Sequence, residues 1–101
     1  MLAEFSISPI GVGPSVGEWV ARCLDIVDGS GLPYRLGPMG TTVEGELDEV
    51  IDLIKQCHRA VLEDVDRVST LIKIDDRKGV SDQLDAKVTD VERRLGRKLK
   101  T

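Results

Sequence analysis

The sequence predicts an α+β fold: a four-stranded antiparallel sheet with two helices on one face and an extra helix at the C-terminal end. Three observations carry that prediction. Residues 2–9 and 67–75 alternate apolar and polar side chains, the period of a strand with one buried face. The stretches after Ser15 and from Leu47 place apolar residues at helical spacing. Between these helices lie two short strand-like segments separated by a glycine-rich turn.

In the first strand, "LAEFSISP", Ala3, Phe5 and Ile7 alternate with Glu4, Ser6 and Ser8. The glycine-rich "GVGPSVG" follows, and Ser15 with Glu18 three residues later has the spacing of a capping box, which predicts a helix start there. Val16, Trp19, Val20, Cys23, Leu24 and Val27 form its apolar stripe, and Gly29-Ser30-Gly31 ends it. Pro33–Leu36 and Thr42–Glu44 read as short strands around "GPMGTT". Leu47, Val50, Ile51, Ile54, Cys57 and Val61 predict a second amphipathic helix. Arg67–Asp75 has the clearest strand pattern, and Ser81–Leu95 closes as a helix with a thin stripe and a basic tail expected to fray. The order βαββαβ plus a helix is that of a split-βαβ, ferredoxin-like sandwich.

Composition narrows the function. A chain of 101 residues, 41% hydrophobic and 32% charged, suits one globular domain over residues 1–101. The net charge of -4 argues against nucleic acid as a partner, because displacing counterions from a polyphosphate needs a basic surface. No apolar run approaches the roughly 20 residues that cross a bilayer. The opening "MLAEFSISPIG" lacks a basic leader pattern, and two isolated cysteines fit reduced, partly buried thiols, so a cytoplasmic protein is expected.

Alternation puts Phe5, Ile7, Val68, Ile72 and Ile74 under the helices. It leaves Glu4, Ser6, Ser8, Ser69, Leu71, Lys73 and Asp75 on an open face, with Thr42 and Glu44 beside them. That face is either solvated, buried by another subunit, or a ligand surface. The glycine turn is a weak match to a dinucleotide fingerprint, since the next strand, "PYRL", offers no acid. His58 is the single histidine and reads as structural; no metal site is expected. No nucleophile–base pairing is visible, with no histidine expected near Ser69 or Thr70, so the chain does not read as an enzyme.

The segments "YRLGPMGTTVEG" and "VSTLIKIDDRKG", with the opening "FSISPIGVGPSVGEWV", resemble the small thiamine-binding proteins related to the two-repeat YkoF-type thiamine and hydroxymethylpyrimidine binders. The resemblance covers nearly the whole chain, departing at Gly17 and Glu18, where members often carry small hydroxyl residues. It implies a ferredoxin-like fold, a homo-oligomer, often a tetramer built as a dimer of dimers, and binding of thiamine or its pyrimidine without catalysis and without a cofactor. Glu44 and Asp75 would then supply negative charge for the thiazolium. Ser6, Ser8, Thr41 and Thr42 would supply hydroxyls, and Met39 and Leu71 apolar surface beside Gly40. Lys73 faces the site as the partner of an acid, while Asp76 and Arg77 fix the turn. The alternative from another class is an oligomeric scaffold or regulatory protein whose polar sheet face is a subunit interface.

Overall fold

The computed structural model describes residues 1–101 and has the predicted architecture. In chain order the elements are β1 (Leu2–Pro9), α1 (Gly17–Gly29), β2 (Tyr34–Leu36), β3 (Thr41–Glu44), α2 (Leu47–Leu62), β4 (Val68–Asp75) and α3 (Gln83–Leu95). The sheet is antiparallel in the order β2-β3-β1-β4, so the first and last strands are neighbours. β1 pairs with β4 over its full length, from Leu2 opposite Asp75 to Pro9 opposite Val68. Its other edge pairs with β3 only from Leu2 to Phe5. That difference in length shapes the site described below.

The core lies between the sheet and the α1–α2 layer. Ala3 and Phe5 of β1 and Val43 of β3 meet Cys23 and Val27 of α1 and Val50, Leu53, Ile54, Cys57 and Val61 of α2. With few aromatic residues the core is built from Val, Ile and Leu, as the composition requires. α2 starts at a capping box between Glu46 and Glu49, with the Glu46 N–H donating to Glu49 Oε1 at 3.3 Å. The box expected at α1 does not form. That helix begins at Gly17 with Val16 in the capping position, and Glu18 instead reaches Arg22 one turn on, at 3.8 Å. Burial of the apolar stripe, rather than a cap, holds α1.

Two other expectations are corrected. Ile72 and Ile74 do point to the helix side, but they remain 44% and 45% exposed. β4 is an edge strand, with no neighbour on its outer side. The second correction concerns the open face, which is not wholly uncovered. α3 lies across one end of it, next to β3, with its first backbone N–H groups bonded to Glu44. No α3 residue is buried. The Cα radius of gyration, 14.9 Å, exceeds the roughly 13 Å of a compact chain this long, so α3 extends the molecule rather than thickening its core. Its tail is tied back to the helix. The Leu99 N–H folds back to Glu92 Oε2 at 2.7 Å.

Candidate functional site

β3 begins only at Thr41, opposite Phe5, so the last half of β1 has no neighbour on that side. α1 rises over the gap, and the β2–β3 turn borders it. The result is a notch of about 480 Å³ running from the helix layer to the open sheet face, within the size range of small-molecule pockets. Ser6, Ile7 and Ser8 form its floor, Val20 and Cys23 one wall, and Met39, Gly40 and Thr41 another, with Leu71 at the open-face rim. No side chain lining it is charged.

The β-ladder gives the floor a hydrogen-bonding edge. Met1 and Gly45 exchange backbone hydrogen bonds, which turns the odd-numbered residues of β1 toward β3. Ile10 donates to Arg67, which turns the even-numbered ones toward β4. Ile7 is thus the next residue whose N–H and C=O face the β3 side, and no β3 residue lies opposite it. A donor and an acceptor from one residue therefore point together into the notch.

The turn opposite depends on glycine. Gly37 N–H closes it onto Gly40 O at 2.8 Å. A Cβ on Gly40 would stand 3.0 Å from Phe5 O, and one on Gly37 would stand 3.0 Å from Gly40 O. Both approaches are tighter than nearly all side-chain contacts and meet backbone atoms, so "GPMG" packs tightly, with Gly40 against β1, and leaves Met39 88% exposed at the mouth.

The expected site residues divide into groups. Ser6, Ser8, Met39, Gly40, Thr41 and Leu71 come together at the notch. Lys73 lies next door, in a shallow hollow with Glu4, its cross-strand neighbour, and with Ser6, Met39 and Leu71 shared between the two. Thr42 stands on the open face between Glu4 and Arg35, outside both. Glu44 and Asp75 sit at the opposite end, in a separate hollow beneath α3. There both acids have partners. Glu44 accepts from the Gln83 and Leu84 N–H groups at 2.7 and 3.3 Å, capping α3 where its dipole favours negative charge. Asp75 pairs with Lys87, and this hydrogen bond, then the charges of Lys87, Arg77 and Lys73, hold its carboxyl below the ordinary carboxylate value. Arg35 pairs with Asp85 alongside. Sequence reasoning missed Ile7 and Val20 as site residues because both read as core positions. The signal that could have found Ile7 is the unequal length of the strands on either side of β1.

One further expectation is overturned. Thr70 does have a histidine: His58 Nδ1 lies 2.7 Å from its hydroxyl, across the α2–β4 seam and away from the notch. Strand alternation carried Thr70 to the helix side, where α2 presents His58. The bond ties α2 to the edge strand.

Against known families, residues 3–92 match the model of the family described as thiamine-binding protein. The chain belongs to the thiamine-binding protein family. A UPF0045 protein of Mycobacterium tuberculosis is 42% identical over 96 residues, covering 94% of each chain, and one of Methanocaldococcus jannaschii is 39% identical over 88 residues, covering 87% of this chain and 88% of that one. The crystal structure of the M. jannaschii protein superposes with a TM-score of 0.84 at 38% identity over 89% of this chain and 93% of that one. A Thermotoga maritima protein, proposed to act in thiamine biosynthesis or salvage, superposes with a TM-score of 0.77 at 25% identity over 89% of this chain and 96% of that one. Family and fold thus point to a small-molecule binder. No helix of the chain is long and apolar enough to cross a membrane.

Proposed function

We propose that the chain is a non-catalytic binding protein for thiamine or its hydroxymethylpyrimidine moiety, that the ligand's aminopyrimidine enters the notch, and that the protein works as a cytoplasmic homo-oligomer. The observation that carries this reading is the unpaired Ile7 edge in an uncharged cavity. An aminopyrimidine presents an amino donor beside a ring-nitrogen acceptor, the complement of one residue's C=O and N–H. In effect the flat heterocycle takes the place of the missing β3 residue. The Ser6, Ser8 and Thr41 hydroxyls supply further hydrogen bonds, and Val20, Met39 and Leu71 supply apolar contact to the ring faces. Thiamine's thiazolium would then project toward the rim, where Glu4 is the nearest acid in the adjoining hollow. Glu44 and Asp75, engaged under α3, stand outside this site.

Self-association is supported by a different set of residues. β4 is an eight-residue edge strand with Leu71, Ile72 and Ile74 exposed, and α3 carries an uncovered stripe of Val91 and Leu95. Long apolar edges of this kind are normally paired or covered in native proteins. These same surfaces also favour the scaffold reading, and ligand titration separates the two. Calorimetry of the purified protein with thiamine and with hydroxymethylpyrimidine is expected to show saturable binding of at least one. At about 100 times the dissociation constant that ligand stabilises the native state by about 2.7 kcal/mol. Absence of heat and of any rise in melting temperature with either compound would leave the scaffold.

A further inference from the structure

Cys23 on α1 and Cys57 on α2 meet inside the core, and no step of ligand binding at the notch uses their sulfur chemistry. Each sulfur approaches the other residue's backbone: Cys23 Sγ lies 3.9 Å from Cys57 O, and Cys57 Sγ lies 3.6 Å from Cys23 O. Such a reciprocal approach puts both sulfurs at the same contact between the two helices. Their access differs. Cys57 is 0% exposed, whereas Cys23 is 5% exposed and forms part of the notch wall.

We infer that Cys23 and Cys57 are a redox-modification site, in which a small peroxide entering the notch oxidises Cys23 and Cys57 closes an intramolecular disulfide between α1 and α2. The Cys23 thiol gives up its proton and its sulfur attacks one oxygen of hydrogen peroxide; the O–O bond breaks, the departing hydroxide takes up that proton, and a sulfenic acid and one water form. Cys57 then gives up its proton and attacks the Cys23 sulfur. The S–S bond forms as the S–O bond breaks, and a second water leaves. In sum, two thiols and one peroxide give one disulfide and two waters, with the peroxide as the oxidant.

Access sets the order of the two sulfurs, since Cys23 lines the notch and Cys57 does not. The hydrogen bond from Cys57 holds the Cys23 thiol below its ordinary value, with Arg22 adding to the effect and burial opposing it. The same contact, together with burial, pushes the Cys57 thiol up. Cys57, packed against Cys23, then meets the sulfenic acid from inside the core. The crosslink does not depend on what the notch binds.

The test treats the native protein with hydrogen peroxide, denatures it in an alkylating reagent and reads the intact mass. The expected product has lost two hydrogens, carries no alkylated cysteine, remains a single chain without reductant, and reverts with a reducing agent. Cys57→Ala is expected to stop at a sulfenic acid captured by dimedone, and Cys23→Ala to react at least about tenfold more slowly, since Cys57 has no route to the notch. Oxygen added to sulfur without a crosslink, a covalent dimer, or no reaction of the unmutated protein would overturn the inference. So would a Cys23→Ala variant oxidised as fast as the parent. Should a variant fail to fold, the mass of the unmutated protein decides alone.

Discussion

The two ends of the open sheet face are built from the same strands and carry opposite chemistry. At the α3 end, Glu44, Asp75, Arg35, Lys87 and Asp85 crowd together, and each has a partner. At the notch end, Ser6, Ser8, Thr41, Met39 and Leu71 line a space with no charge, and the Ile7 backbone edge has no strand beside it. Charge density marks the end that is already satisfied internally. The vacant hydrogen-bonding capacity lies where the side chains are least conspicuous. A backbone donor and acceptor left without a strand partner can be paired by a ligand offering the complementary acceptor and donor.

The largest expected effect comes from filling the notch. Val20 is 37% exposed on α1, so Val20→Trp can place its ring in the cavity without disturbing the core. Calorimetry is expected to show at least a tenfold loss of affinity, about 1.4 kcal/mol, for thiamine and hydroxymethylpyrimidine alike. Chemical unfolding is expected to move by no more than about 0.5 kcal/mol. Unchanged affinity would put the ligand elsewhere.

Removing the α3 cap is expected to act at the other end only. Glu44→Ala leaves the first N–H groups of α3 without their acceptor and should lower the protection of α3 amides in hydrogen exchange by about 1 kcal/mol. Ligand affinity should stay within about twofold, well under the 1.4 kcal/mol of a tenfold change. A large loss of affinity in this variant would merge the two ends into one site.

The smallest effect belongs to Asp75. Asp75→Asn should change affinity for cationic thiamine less than about twofold, against the tenfold or greater loss expected of a charge touching the ligand. The same substitution should remove an acid-sensitive step in α3. Because the folded carboxyl is held below its ordinary value of 3.8, its contribution is fully present above that value and disappears as pH falls through the lower folded one. α3 protection is thus expected to be flat from neutral pH to about pH 5 and to fall below about pH 4. The drop should be modest, since the pair is exposed to solvent.

The fold was legible because its signals are periodic. Alternation in β1 and β4 and the stripes of α1 and α2 are repeated many times, and the helix-facing positions Ala3, Phe5, Val50 and Ile54 follow from them. The candidate site was legible in part. Ser6, Ser8, Gly40, Thr41 and Leu71 could be assigned to one face or one turn, but alternation also assigned Glu44 and Asp75 to that face. Periodicity reports which side of a sheet a residue occupies and says nothing of its position along the strand. What separates Asp75 from Ser6 is the return of α3 across one end, a tertiary contact made through Glu44 and Lys87. The His58–Thr70 bond was hidden for a related reason, since it joins elements whose relative placement no local pattern encodes. The Ser15–Glu18 spacing misled because α1 begins at Gly17 with Val16 at the cap, one residue past Ser15.

The most direct test of the notch as the ligand site is a titration of the isotope-labelled protein with hydroxymethylpyrimidine and with thiamine, followed through backbone amide resonances. The Ile7 N–H is expected to move furthest, as it gains a hydrogen-bond acceptor, with smaller changes at Ser6, Ser8, Gly40, Thr41 and Leu71, while Glu44, Asp75 and Gln83 stay still. Shifts concentrated at Glu44, Asp75 and the start of α3, with Ile7 unmoved, would contradict it.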